Sequence, residues 1–344
     1  MIYRSNLSAS DGWKSLTLRL VALLGVFMLY CTYTQLVHDP SARRQLSSQK
    51  WNWYDISSSS DGRLKAAVVD IGFIYLSNDL GNTWTPEVFD EARSWRSVTS
   101  STDGSRVAAV ASNEYLYTAI TQEGANVPPQ KMVWTVHDSD VNPGRHNWCK
   151  IDCSSSGARV AAAVKNGLVY IGDSTYDAVA EVWSWSWTNC SSHPGEQNWA
   201  DLTLNGDGSR LVAVVNGGYI YAYEQNTDTW TQLGHKGNWV SVSGSSSGLI
   251  LAAVDHGGYL YISENFGNSW TAQVELGEKM WYDIIVSGDG SKMFAIDDGG
   301  YVYKSTIGDF TRIWTKQSYG QRARWHALTL VERVAMFNLL LNYS

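Results

Sequence analysis

Trp53-Tyr54-Asp55-Ile56, Ser60-Asp61-Gly62, Leu64 to Val69, Phe73-Ile74-Tyr75 and Thr83-Trp84 form a phrase that recurs along most of the chain. Its opening tryptophan returns at Trp95, Trp148, Trp199, Trp239, Trp281 and Trp325, in steps of 42, 53, 51, 40, 42 and 44 residues. The unit at Trp281 keeps the same order: Ser287-Gly288-Asp289-Gly290, Met293 to Ile296, Tyr301-Val302-Tyr303 and Trp314. Each unit reads as four short strands, A to D, and in the first they fall at 52–57, 64–69, 73–77 and from 84. Strand B is apolar almost throughout, as a strand buried on both faces must be. Repeats of about 40 to 45 residues built this way predict an all-β propeller. The expectation is about seven four-stranded blades over 51–344, with six blades and a tail as the alternative.

The B–C turns of the later units are Asn216-Gly217-Gly218, His256-Gly257-Gly258 and Asp298-Gly299-Gly300. Their glycines supply the positive φ that tight hairpins need. Two units carry insertions, at 122–131 with Pro128-Pro129 and at 173–182. The second leads into Trp183, Trp185 and Trp187, which alternate and so share one face of a strand. That row is either a stacking surface for sugars or an outer strand packed on its neighbour. The last unit is irregular: strand A is expected at 325–330, B at 333–337 and a short C at 338–344. Residues 42–48 are placed to supply a missing outer strand, which would remove an open edge.

The first 50 residues differ from the rest. Residues 1–19 form a short tail. Leu20 to Val37 is an uncharged run of 18 residues, about the span of a transmembrane helix. It predicts a single N-terminal helix acting as a signal anchor over 20–37, with 38–50 as linker and the propeller on the extracytoplasmic or lumenal side. A cleaved signal peptide, giving a secreted protein, and an organellar presequence are the alternatives. Charged residues make up 17% of the 344-residue chain and the net charge is −7, which argues against nucleic acid as a partner. Cys149 and Cys153 lie on one face of a strand but about 13 Å apart, too far to bridge each other; Cys190 is in a position to meet either. With no Cys-x-x-Cys pair, no metal and no cofactor are expected. Asn189-Cys190-Ser191 is a glycosylation sequon expected in a surface loop.

Ser77 to Trp84 matches S-x-D-x-G-x-T-W, and Ser263 to Trp270 repeats it with Asn265 for the aspartate. With the tryptophan phrase over 53 to about 337, the chain resembles the Asp-box (BNR) repeat propellers. These include sialidases, reducing-end xyloglucan hydrolases, sortilin-type receptors and a photosystem II assembly factor. The resemblance implies that the box is a folding element. Ser77, Asp79, Gly81 and Trp84, with Ser263, Asn265, Gly267 and Trp270, would then hold turns together. Sialidase chemistry needs converging arginines, usually with an Arg-Ile-Pro phrase, which is absent. Arg63, Arg106, Arg159 and Arg210 instead hold equivalent positions at the start of strand B.

Asp55, Asp201 and Asp283 each stand two residues after the opening tryptophan, on the innermost strand, and are candidates to line a channel. No carboxylate stands out from the repeat as a catalytic pair would, so no catalytic residue is named. The sequence points to a membrane-tethered, non-catalytic propeller that binds a protein or glycan partner. Its rivals are a carbohydrate hydrolase and an assembly factor for an organellar membrane complex. The expected recognition face is the ring of B–C turns, represented by Asp70, Glu114, Lys165, Asn216, His256 and Asp298, with the Trp183–Trp187 row as the other candidate.

Overall fold

The computed structural model describes residues 52–87, 91–121, 132–138, 143–178, 182–190, 194–307, 312–317, 324–331 and 336–342. The expected anchor at 20–37 and the expected closing strand at 42–48 lie outside them. Among the described residues no helix is long and apolar enough to cross a membrane.

The first unit contains β1 (Trp53–Ser58), β2 (Lys65–Gly72), β3 (Ile74–Ser77) and β4 (Thr85–Glu87), and the second β5 (Arg93–Ser100), β6 (Arg106–Glu114), β7 (Leu116–Thr121) and β8 (Met132–His137). The third contains β9 (His146–Cys153), β10 (Arg159–Gly167), β11 (Val169–Asp177) and β12 (Val182–Asn189). In the fourth, β13 (Gln197–Leu204) precedes β14 (Arg210–Glu224), which runs through the B and C positions. The following β15 (Thr229–Gly244) serves as strand D there and as strand A of the fifth unit. That unit continues with β16 (Leu251–Gly258), β17 (Leu260–Ser263) and β18 (Thr271–Ala272). The sixth holds β19 (Lys279–Val286), β20 (Lys292–Asp297), β21 (Val302–Ile307) and β22 (Arg312–Gln317). All pairings are antiparallel, so the all-β propeller architecture is that of the sequence.

The last segment departs from expectation. Among the described residues it forms one hairpin rather than three strands, β23 (Arg324–Val331) with β24 (Met336–Asn342). Nothing in the run from Met336 through Leu339-Leu340-Leu341 supplies the turn that a break at Asn338 would need. The inner strand β23 packs against β19 on one side and β1 on the other. Innermost strands β1, β5, β9, β13, β15, β19 and β23 thus follow one another round a ring.

Strand B explains how units stack. Successive side chains of a strand point to opposite faces. Ala66 and Val68 accordingly enter the core shared with the second unit, beside Trp95 and Tyr117, while Ala67 and Val69 pack on Trp53 and Tyr75. Small alanines on B leave room for the indoles. Trp53, Trp95, Trp148, Trp239 and Trp281 are fully buried, and each removes roughly 200 Å² from water, worth about 5 kcal/mol.

The Ser-x-Asp-Gly phrase is the A–B turn. Ser59 Oγ accepts the amide of Leu64 at 3.1 Å and donates to Asp61 at 2.7 Å. Gly62 sits at φ 71° there, a conformation repeated at Gly104, Gly157, Gly208, Gly248 and Gly290, which only glycine adopts without strain. These turns are also linked around the ring. Backbone amides of Ser60, Thr102, Ser155, Gly206 and Ser246 donate in turn to the carbonyls of Thr102, Ser155, Gly206, Ser246 and Gly288, at 2.7 to 2.8 Å.

Tryptophan side chains latch neighbouring units at two radii. On the inner strand, the indoles of Trp95, Trp148 and Trp199 donate to the carbonyls of Gly72, Glu114 and Gly167 in the preceding B–C turn, at 3.0, 2.8 and 2.9 Å. On the outer strand, Trp134 donates to Glu87, Trp187 to His137 and Trp314 to Gln273, at 2.9, 3.1 and 3.2 Å. The partner position is Cys190 before Trp230 and Leu233 before Trp270. Neither is a good acceptor, and both indole N–H groups are buried without a hydrogen-bond partner among the described residues.

The turn over residues 77–84 is built by its own side chains. Asp79 Oδ1 accepts the Thr83 amide at 2.8 Å and the Ser77 hydroxyl at 2.8 Å, and its Oδ2 accepts the Thr83 hydroxyl at 2.6 Å. Ser77 Oγ accepts the Gly81 amide at 2.9 Å, and the Trp84 indole closes on the Gly81 carbonyl at 3.1 Å. Ser263, Asn265, Gly267 and Ser269 reproduce the turn, with the Asn265 carbonyl oxygen accepting the Ser269 amide at 2.9 Å.

Candidate functional site

Every inner strand of the six four-stranded units breaks register just after its tryptophan: Trp53 pairs with Val69 but Asp55 with Val68, and the shift recurs at Trp95, Trp199, Trp239 and Trp281 and near Trp148. A bulge of this kind re-aims side chains. Here it is accompanied by two consecutive positions lining the central channel at the end where the B–C turns lie. Tyr54, Arg96, Lys150, Val240, Ser241, His256, Tyr282 and Asp283 bound a cavity of about 300 Å³ at that mouth.

The deeper layer is a network of carboxylates and hydroxyls. Asp55 accepts the amide of Ile56 at 2.8 Å, the hydroxyl of Ser97 at 2.7 Å and the amide of Val98 at 3.1 Å. Asp201 repeats the pattern with Leu202, Ser241 and Val242 at 2.9, 2.8 and 3.0 Å. Asp152 accepts from Cys153, Leu204 and Thr99 at 2.8, 2.8 and 3.1 Å. These carboxylates join adjacent inner strands that do not pair with each other through a regular ladder. Ser241 Oγ also reaches Asp283 at 2.7 Å, so its single proton serves two carboxylates.

Lys150 is the cation of this layer, 3.5 Å from Asp201. Burial pulls its ammonium toward neutrality, but Asp201, Asp55 and Asp283 outweigh that and hold its pKa above the ordinary lysine value. For Asp152, burial dominates over the stabilising hydrogen bonds and lifts the carboxyl to about 6. The oxygens of Asp55 and Asp201 are committed to amides, hydroxyls and Lys150, an arrangement that holds strands together rather than positioning a proton for transfer.

Of the six B–C candidates, His256 lines the cavity, its Nδ1 donating to the Trp281 carbonyl at 2.9 Å. Asp70 stands behind it, paired with Arg96 at 3.2 Å and accepting from Ser94 at 2.5 Å. Arg96 in turn lies over the Tyr54 ring, 4.7 Å from its centroid. Glu114, Lys165, Asn216 and Asp298 are distributed around the face and do not line the cavity. Glu114 pairs with Arg145 at 3.6 Å, Asn216 donates to the Trp239 carbonyl at 3.4 Å, and Lys165 and Asp298 are exposed. Register shows that the true counterpart of Asp70 in the second unit is Ser112, facing Asn147, and that Glu114 lies two residues on. The first three units place Ile71, Asn113 and Asn166 at positive φ where later units use glycine. Ile71 is β-branched, at φ 55°, and 77% exposed, a costly conformation for its type.

Tyr54, Arg96, Lys150 and Tyr282 were not singled out by sequence reasoning. Their one signal is that the two columns after the repeated tryptophan vary while the tryptophan does not. The Trp183–Trp187 row packs across the boundary with the second unit. Trp187 is buried over Gly172 and bonded to His137, Trp185 stacks on it at 5.6 Å, and half-exposed Trp183 lies under the Arg106 guanidinium at 3.9 Å. Arg106, Arg159 and Arg210 each reach the next unit, bonding Ser174, Gly208 and the Phe266 carbonyl. Asn189 is exposed at the end of β12, paired with Tyr170, rather than in a loop. Cys149, Cys153 and Cys190 are free thiols, each pushed up to about 12 by burial. Among the described residues no three His, Cys, Asp or Glu side chains gather as a metal site would.

No protein family and no curated protein matches the chain by sequence. In three dimensions it is similar to the β-propeller domain of Cps50 (Swd1) from Myceliophteria thermophila, with a TM-score of 0.63 at 10% identity, covering 86% of this chain and 98% of that one. In all, 1659 solved chains match, so the likeness identifies an architecture that serves many functions and selects none of them.

Proposed function

We propose that this protein is a non-catalytic propeller scaffold that docks a partner protein on its B–C face, centred on the channel mouth. The observation that carries the reading is the concentration there of exposed Tyr54, Ile71, Met280 and Tyr282 beside Arg96 and His256, around the 300 Å³ cavity. Exposed apolar groups and tyrosines next to an arginine are the composition of a protein-binding hot spot. The carboxylates beneath them are engaged in holding strands, which favours this reading over a hydrolase. Tethering through Leu20 to Val37 belongs to the same proposal, as does descent from the Asp-box propellers.

The test is affinity capture of the tagged full-length chain from native membranes. Tyr54→Ser with Tyr282→Ser should lose partners that wild type and Trp183→Ser retain. Charge reversal at Lys165 and Asp298 together should weaken them if the ligand spans the ring. An unchanged partner set in the tyrosine variant, with the protein folded, would place recognition elsewhere.

A further inference from the structure

The boundary between the fifth and sixth units differs from the equivalent boundary between the first and second, on the face opposite the channel mouth. Strand register fixes the correspondence. Leu76 faces Thr85 as Ile262 faces Thr271, and Thr121 faces Met132 as Ile307 faces Arg312. Asp79 is therefore replaced by Asn265, Glu87 by Gln273 and Met132 by Arg312. Two acids become amides and a buried methionine becomes an arginine, while Asn78 becomes Glu264. The outer latch survives the exchange, with Trp314 donating to Gln273 as Trp134 does to Glu87.

The exchange leaves a space and a charge. Met132 is buried at 3% exposure in the core between the first two units. Its counterpart Arg312 instead borders a cavity of about 450 Å³ with Ile262, Glu264, Asn265, Ser269, Thr271 and Gln273. One guanidinium nitrogen, Nη2, donates to the Gly290 carbonyl at 3.0 Å. Nε and Nη1 are buried with no hydrogen-bond partner among the described residues. Unpaired buried donors on a cation are costly, and no carboxylate of the described residues lies within ion-pair distance of Arg312.

We infer that this groove is a binding site for an oxyanion, a carboxylate, sulfate or phosphate group, carried on a small polar molecule. Turned toward the cavity, the guanidinium would present a fork that matches two oxygens of such a group. The hydroxyls of Ser269 and Thr271 and the amides of Asn265 and Gln273 provide further polar partners, and Ile262 is the one apolar side chain among the described lining residues. The volume suits a ligand of about monosaccharide size. Glu264 is the one carboxylate among the described residues bordering the groove and limits its affinity.

Calorimetric titration of the full chain with inorganic sulfate, inorganic phosphate, glucuronate and neutral glucose, at fixed ionic strength, tests the inference. The anions should bind and glucose should not. Selective binding of glucuronate identifies a sugar acid as the ligand, and equal binding of all three anions identifies a free-anion site. Arg312→Met, which installs the residue used at the equivalent position, should weaken anion binding about tenfold or more, and Asn265→Asp should do the same by restoring the box carboxylate. Glu264→Gln should tighten it. If wild type binds none of the anions, or if folded Arg312→Met and Asn265→Asp bind them as wild type does, the inference is wrong.

Discussion

The indole of Trp187 donates to Nδ1 of His137 at 3.1 Å, across the boundary between the second and third units. Because Nδ1 accepts, the proton of the neutral ring is on Nε2, which faces the Thr118 hydroxyl at 2.9 Å. Burial lowers this histidine to about 4, against a weak opposing pull from Asp138.

Protonating His137 would cost that latch. An unfolded chain takes up the proton near the ordinary histidine value, and the folded chain resists until about 4. Stability from this residue is therefore full above that ordinary value and falls as the pH drops toward 4, by up to about 3 kcal/mol. His137→Gln keeps an acceptor for Trp187 and cannot be protonated. Urea unfolding between pH 7 and pH 4 should show a shallower acid loss in the variant; parallel curves would refute the assignment.

Asp152 acts with the opposite sign. Its carboxyl is lifted to about 6 in the fold, so the folded protein takes up the proton before the unfolded chain does. Its contribution rises as the pH falls from about 6 toward the ordinary aspartate value, by on the order of 3 kcal/mol. Asp152→Asn removes this term whatever it does to absolute stability. The difference between wild type and variant should tilt toward wild type on acidification across that window, and a flat difference would count against it.

The inner latch can be separated from packing. Trp95→Phe retains a buried ring while deleting the bond to Gly72, and should cost about 1 to 2 kcal/mol, including the carbonyl left unpaired. Trp95→Ala also opens a cavity and should cost about 3 to 5 kcal/mol. A Trp95→Phe variant with an unchanged denaturation midpoint would show that the indole N–H contributes nothing.

Local chemistry made the repeat legible. Ser59, Asp61 and Gly62 build their turn from neighbours within five residues, Asp79 does the same within four, and strand B advertises its two buried faces by being apolar. Such features follow from period and turn geometry, so the all-β propeller could be read in the chain. The expected third strand of the last unit could not, because nothing local distinguishes one long strand from two short ones without a turn signal.

The candidate sites depended on relations between units. Tyr54, Arg96, Lys150 and Tyr282 share a cavity because the inner strands bulge and the ring brings residues more than a hundred positions apart to one axis. Asp55 and Asp201, expected to line a channel, are bound to the amides of Val98 and Val242 in the next unit. Arg312 reads as an ordinary residue of strand D until register aligns it with Met132 and sets it beside Asn265 and Gln273. The sequence by itself determined the strands, their turns and the spacing of the tryptophans, since these rest on short-range bonding and on burial. Only the tertiary structure decided which polar groups find partners across a boundary and which are buried without one, because that depends on which units lie side by side.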